Sequence, residues 1–259
     1  MECHKMKRLI VNGDDFGLSD GVSSGIVHCM RRGCVSSTSV MPCVEGVGER
    51  LRQWGPQISG SIGVHLQLTS GKPRSSLHLI KSLLDGDSFP SEVPAVERLD
   101  LDEVEREWTA QIEAVLESGL SVTHLDSHHG LHRYDRLIGI YIRLAQRFGL
   151  AARGGKREIC AQLVANGVST TDLCDSRWIR GDLTVPRFLE LVLDDFSQLQ
   201  GDGTVEMVTH PGFVDDDLHR ITRYSEPRGR ELAVLCSEEL LDGIRQNGIE
   251  IVSFRELQR

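Results

Sequence analysis

The chain has 259 residues, with 29 Lys and Arg against 38 Asp and Glu and a formal net charge of −9. At 39% apolar and 26% charged residues it can fill a sizeable core within one domain, which excludes a disordered tail and a fibre. The acidic balance argues against nucleic-acid and anionic-membrane partners, since both need clustered Lys and Arg.

No stretch approaches the roughly 18 apolar residues of a membrane span. Leu9-Ile10-Val11 is too short for the apolar core of a secretion signal, which runs to about 7–15 residues. Seven cysteines (Cys3, Cys29, Cys34, Cys43, Cys160, Cys174, Cys236) are scattered, with no CxxC. They read as reduced thiols of a cytoplasmic protein, not as a disulfide framework or a cysteine zinc site.

Residues 8–12 form a first predicted strand. Ser19 then caps a helix with apolar positions at Val22, Ile26, Cys29 and Met30, and Gly33 ends it. Strands are predicted at 35–41 and at 61–68, where Ile62, Val64, Leu66 and Leu68 alternate. Residues 70–99 are too long and polar for an ordinary connection and read as an insertion over one end of the fold. A helix follows through Val104, Trp108, Ile112 and Val115 to Gly119, then a strand at 122–126. A second strong helix ends at Phe148-Gly149, with a strand at 150–153. Residues 154–186 give no clear period. Beyond them lie a helix through Phe188, Val192 and Phe196, a strand at 205–209, a helix at 231–245 and a last strand at 249–254.

This alternation predicts an α/β fold with parallel strands and covering helices. With about seven strands and no GxGxxG after the first, a single-domain, incomplete or distorted β/α barrel over residues 1–259 is preferred to an open dinucleotide-binding sheet.

In β/α barrels the chemistry gathers where strands end, and four polar clusters fall there. Asp14-Asp15 follows the first strand; alone it is weak evidence and reads first as a turn or helix cap. His65 shares a strand face with Gly63 and Gln67, a polar strip that a dry core disfavours without partners. Asp126-Ser127-His128-His129-Gly130-Leu131-His132 is the strongest cluster, suited to metal or acid–base work, and Gly130 breaks any helical HExxH reading. His210 precedes Pro211, which holds it extended, and is structural or catalytic on equal terms. His4, His28, His78, His124 and His219 are given no role, His124 being expected on the opposite face of its strand. Two histidines and an aspartate around an open-sided metal suit water activation. A second carboxylate can take the proton, and another histidine can protonate a leaving group.

Four segments carry a family resemblance. Val11-Asn12-Gly13-Asp14-Asp15-Phe16-Gly17-Leu18-Ser19 resembles the N-A-D-D-F-G-L-S opening of the YdjC-like carbohydrate deacetylases, a family that includes the chitooligosaccharide deacetylases. Gly63 to Pro73 resembles its G-x-H-x-x-L-T-x-G-K-P stretch, and Thr123 to His129 its T-H-L-D-S-H-H segment. Glu206 to Asp215 resembles the late H-P-x-[FY]-x-D segment. Gly130 departs from the pattern, standing where the family has the third histidine of its H-H-H run.

The resemblance implies a barrel hydrolase that removes N-acetyl groups from N-acetylglucosamine-containing oligosaccharides with one divalent metal ion. Carried onto this chain, Asp15, His65 and His128 become metal ligands, Asp14 the general base and His210 the general acid, with Arg153 beside the base. The donor set suits Zn²⁺ by ligand type, while the family is often described with Mg²⁺. Substrate-binding residues are not identified, and a homodimer stays open. Alternatives are deacetylation of a lipid-linked amino sugar, a phosphoesterase or other esterase on the same fold, and a non-catalytic sugar-binding protein.

Overall fold

The computed structural model describes residues 6–58 and 60–258; Cys3 and His4 lie outside them. Eight strands are present among these residues: β1 Lys7–Phe16, β2 Ser37–Val40, β3 Ser61–Leu66, β4 Val122–Ser127, β5 Ala151–Ala152, β6 Leu173–Asp175, β7 Gly203–Thr209 and β8 Ile249–Ile251. The helices are α1 Asp20–Arg32, α2 Val47–Trp54, α3 Leu101–Leu116, α4 Asp135–Phe148, α5 Arg157–Ala165, α6 Val185–Ser197, α7 Asp216–Ile221, α8 Glu226–Leu235 and α9 Glu238–Gln246.

The strands form one parallel sheet in the order β5-β4-β3-β2-β1-β7-β6. β1 is long enough to serve two neighbours on one edge. Its first half pairs with β8 (Lys7 with Ile249, Leu9 with Ile251), and its second half with β2 (Asn12 with Ser37). β5 and β6 end the path and do not pair with each other among the described residues, so the barrel is incomplete, as the element alternation predicts.

Side-chain alternation sorts the strands into two environments. Leu9, Val11, Val64, Leu125, Val205 and Met207 point outward into the main core beneath the helices. Ile10, Ala151, Val252 and Phe254 form a separate small cluster on the inner side. Above this floor the inward positions turn polar, and Asn12, Asp14, Ser39, His65, Asp126, Arg153 and Glu206 are all buried.

His124 belongs to the floor. It shares the inward face of β4 with Asp126, not the opposite face expected from the sequence, and stacks on Phe254 with ring centroids 3.9 Å apart. Gly63 leaves room for it: a Cβ there would stand 2.4–2.6 Å from three atoms of the imidazole. Because that ring is wedged against Phe254, Gly63→Ala is expected to cost about 1–3 kcal/mol by overpacking. The midpoint of urea unfolding measures it.

Several boundaries move for local reasons. The strand expected to reach Leu68 stops at Leu66, because Gln111 takes both backbone groups of Gln67 at 2.8 Å. The single helix expected at 231–245 is two. Ser237 Oγ accepts from the Leu240 N–H at 3.3 Å and starts α9 afresh, while α8 begins earlier, at Glu226. The last strand ends at Ile251, because Ser253 and Glu256 form a capping box that opens a 3₁₀ turn. Within 154–186 lie α5 and the three-residue β6. Residues 70–99 hold short 3₁₀ turns and send Ser91, Glu92 and Val93 to the wall of a cavity at the C-terminal ends of the strands. No helix among the described residues is long and apolar enough to cross a membrane.

Candidate active site

The C-terminal ends of β1, β3 and β4 bring three donor atoms together. Asp15 Oδ1, His65 Nε2 and His128 Nδ1 form a triangle with all three edges 3.3 Å. Tetrahedral donors at about 2.0–2.1 Å from an ion stand roughly 3.3–3.4 Å from one another, so the triangle has the right size for a metal. Asp15 Oδ1 is buried and accepts no hydrogen bond among the described residues, despite its two nitrogen neighbours. Asp15 also has φ at +70°, a left-handed conformation that is costly for a residue with a side chain. Strain at this position turns its carboxylate back over the strand end.

The surroundings attract positive charge. Burial opposes a charge on His65, but the Asp126, Asp15 and Asp14 carboxylates overcome it and push its pKa up to about 10. Burial likewise opposes ionisation of Asp15, yet Arg228 and the two histidines hold its carboxyl well below the usual range. Asp126 accepts from His65 Nδ1 at 2.7 Å and from Ser39 Oγ at 2.7 Å. Such a carboxylate fixes the imidazole so that Nε2 faces the triangle, where a bound cation would take the place of its proton.

Asp14 lies one residue away with a different environment. Its two oxygens receive Arg153 Nη1 and Nη2 at 2.7 Å each, and Asn12 Nδ2 adds a third bond at 2.7 Å. Its Oδ2 stands 4.0 Å from His65 Nε2, beyond the triangle. Arg153 also contacts Asp126 Oδ2 at 3.0 Å and Glu206 Oε1 at 2.7 Å, so one guanidinium serves three buried carboxyl groups. Burial pushes the Glu206 pKa up to about 7 against the pull of Arg153.

His210 follows β7, and its backbone N–H donates to Glu231 Oε2 at 2.6 Å. Its ring lines the same cavity as Asp14, His65, His128 and Arg153, a space of about 560 Å³. The buried Nδ1 has no hydrogen-bond partner among the described residues, and burial pushes the imidazole pKa down to about 4.

The structure therefore brings all six sequence-derived residues into one site, but it divides the 126–132 cluster. His132 is wedged between Ser127 Oγ at 2.6 Å and the Gly154 carbonyl at 3.2 Å, and it stacks on Tyr141. Its place is structural. His129 stacks on His128 and bonds Thr69. His129 and Gly130 are both left-handed, with φ of 56° and 64°, which swings the chain out so that His128 turns inward.

The residues that sequence reasoning missed are Asn12, Ser39, Glu206, Arg228 and Glu231. Glu206 had a signal: it is the one charged side chain in its strand, on the inward face. Arg228 and Glu231 had none, because they reach the site from a helix more than 200 residues beyond Asp15.

Two fully buried histidines set a pH dependence of stability. Burial pushes His124 and His132 down to about 3, whereas an unfolded histidine titrates near about 6.5. Their contribution is complete above pH ~6.5 and is lost as pH falls toward 3, by up to about 1.4 kcal/mol per pH unit for each. Denaturant unfolding between pH 7 and pH 5 checks this, and His124→Asn should flatten the slope.

Residues 8–246 match the model of the YdjC-like protein family. A carbohydrate deacetylase from Listeria monocytogenes serotype 4a is 33% identical, over 96% of this chain and all of that protein. Another from Brevibacillus brevis is 34% identical, over 96% and 99%. A solved structure from Enterococcus faecalis V583, described as a candidate for cellobiose-phosphate cleavage, superposes with a TM-score of 0.88 at 32% identity, over 98% of this chain and 100% of that one. A family 4 carbohydrate esterase from Streptomyces lividans shares the fold, with a TM-score of 0.50 at 12% identity over 95% and 92%. The matched family spans nearly the whole barrel and all of the clustered residues, and the chain belongs to the YdjC-like family.

Proposed function

We propose that the protein is a metal-dependent carbohydrate N-deacetylase, which hydrolyses the acetamide of N-acetylglucosamine-containing oligosaccharides. The observation that carries this reading is the 3.3 Å triangle of Asp15, His65 and His128, with an orphaned carboxylate oxygen, beside a second carboxylate clamped by Arg153. Relatives named carbohydrate deacetylases at 33–34% identity support the substrate class.

Asp15, His65 and His128 would hold one divalent ion, and their N₂O donor set suits zinc better than magnesium. When bound, the ion supplies Lewis acidity to a water and to the acetyl carbonyl. Asp14 takes the proton from that water, its lone pairs aimed by Arg153 and Asn12. His210 rests neutral and takes up a proton from solvent as negative charge develops on the acetyl oxygen, while the proton taken by Asp14 returns to solvent. It then passes that proton to the amine nitrogen as the C–N bond breaks. An amine leaves poorly without a proton, so this second group is chemically required. The cavity lies within the about 300–1,000 Å³ of small-molecule sites, and the six described cysteines form no disulfide, which suits the cytoplasm.

Acetate release, with identification of the free amine, across a panel of N-acetylated mono- and oligosaccharides tests the reaction. His210→Ala is expected to lower kcat by roughly 10²-fold or more on amides and much less on activated acetyl esters. Equal losses on both would remove His210 as the acid, and no acetate from any N-acetyl sugar would remove the activity.

One observation favours an anionic sugar. Arg133 and Arg180 line the cavity wall, and neither makes an ion pair among the described residues. The Enterococcus faecalis relative is described in terms of a phosphorylated disaccharide. Phosphorylated and unphosphorylated members of the same panel separate the two substrates by KM.

A further inference from the structure

Helix α8 lies outside the barrel, yet two of its buried side chains, three residues apart and so on one face, reach different parts of the site. Arg228 places Nη2 2.6 Å from Asp15 Oδ2, the oxygen that takes no part in the triangle. Glu231 receives the His210 N–H on Oε2 and the Tyr224 hydroxyl on Oε1, both at 2.6 Å. Tyr224 completes the frame. Its carbonyl accepts from Arg228 Nε at 2.9 Å, its ring lies 5.7 Å from the guanidinium, and its ring centroid is 5.7 Å from that of His210.

We propose that Arg228 and Glu231 are positioning residues which hold Asp15 and His210 in working geometry through one rigid helix; this rests on the metal-dependent deacetylase reading above. Asp15 sits on strained backbone, and a carboxylate there keeps one direction only if its second oxygen is tied. Arg228 ties it and leaves Oδ1 free of hydrogen bonds. It also offsets a buried negative charge without competing for the ligand atom.

His210 presents the matching problem. It stands past the last residue of β7, where the sheet no longer uses its N–H. Glu231 accepts that N–H and so sets the direction in which the ring enters the cavity. A carboxylate accepts from both donors at once, and an alkyl side chain accepts from neither. A glutamine keeps part of the arrangement, with its oxygen on the His210 N–H and its NH₂ donating to the Tyr224 hydroxyl, which can itself donate to the Ile179 carbonyl 3.2 Å away.

If the contacts served only to dock α8 on the barrel, their loss would lower stability and leave the folded protein's metal affinity and turnover unchanged. The test therefore uses the full chain, zinc titration by calorimetry, and kcat and KM measured separately on an N-acetylated chitooligosaccharide. Arg228→Met is expected to weaken zinc binding about 10–100-fold, with Arg228→Lys recovering part of it through a single ammonium contact. Glu231→Met should keep wild-type zinc affinity and KM while kcat falls about 10-fold or more, with Glu231→Gln recovering part of the loss. Should either methionine variant fail to fold by circular dichroism, Arg228→Lys or Glu231→Gln carries the reading through a smaller loss of affinity or of kcat. Wild-type zinc affinity in the folded Arg228 variants, or wild-type kcat in the folded Glu231 variants, overturns the proposal. A wild-type protein that binds no divalent ion overturns the metal reading and this inference together, whereas wild-type binding with unaltered variants overturns this inference alone.

Discussion

Asp14→Asn is expected to lower kcat by roughly 10²–10⁴-fold while zinc affinity stays at the wild-type value. The substitution keeps the shape of the side chain and most of its bonding, since an amide oxygen can still accept from one arm of the Arg153 fork. What it removes is the lone-pair basicity that the proposed role as base requires. The donor triangle is untouched, because Asp14 Oδ2 lies 4.0 Å from His65 Nε2 and outside the three 3.3 Å edges. Asp15→Asn is the informative contrast. It weakens the charge on the proposed ligand oxygen itself, so zinc affinity and activity should fall together. Loss of zinc from Asp14→Asn would move that residue from base to ligand.

Arg153→Met is expected to be the most damaging single change to the fold, at about 3–5 kcal/mol. The guanidinium contacts Asp14, Asp126 and Glu206 within 3.0 Å, and all four side chains are almost wholly buried. Methionine matches much of the volume but leaves three carboxyl groups facing one another in a medium that solvates charge poorly. The melting temperature should drop by roughly 10 °C. Burial already pushes Glu206 up to about 7, so it is the group that most readily goes neutral. Adding Glu206→Gln to Arg153→Met should therefore recover part of the stability. A double variant whose loss equals the sum of the two single losses would show that Glu206 is not coupled to Arg153. Calorimetric melts of the four proteins in this cycle give the coupling directly.

What the sequence discloses follows from which side of the barrel a residue faces. Outward positions such as Leu9, Val11, Val205 and Met207 meet apolar helix faces, and their periodicity is what made the strands and most helices legible. Inward positions carry the chemistry. Asp14, His65, Asp126 and His210 were noticeable because charged or polar groups at strand ends violate the apolar expectation. Glu206 violated it equally and was overlooked inside a run read as an ordinary strand. His132 misled in the opposite direction, since three histidines close together look alike until the backbone reverses at His129 and Gly130. One ring then goes to the triangle and another to Ser127 and Gly154.

Residues 154–186 resisted reading for a different reason. β6 is three residues long and pairs only with β7 at the open edge of the sheet, too short for an alternating pattern to register. The long helix expected at 231–245 hid a boundary that a serine cap imposes and apolar periodicity does not mark. Arg228 and Glu231 lay beyond any local pattern, because their partners are set by how α8 docks and not by neighbours in the chain.

If one divalent ion, held by Asp15, His65 and His128, is required for acetamide hydrolysis, the requirement is read from acetate release on an N-acetylated chitooligosaccharide by protein stripped with a chelator and then titrated with zinc. Stripped protein is expected to be inactive, activity to return linearly up to one ion per chain, and Asp15→Asn to regain little of it. Full activity in the stripped protein, or a titration that saturates well away from one ion per chain, would rule out a single required ion at this site.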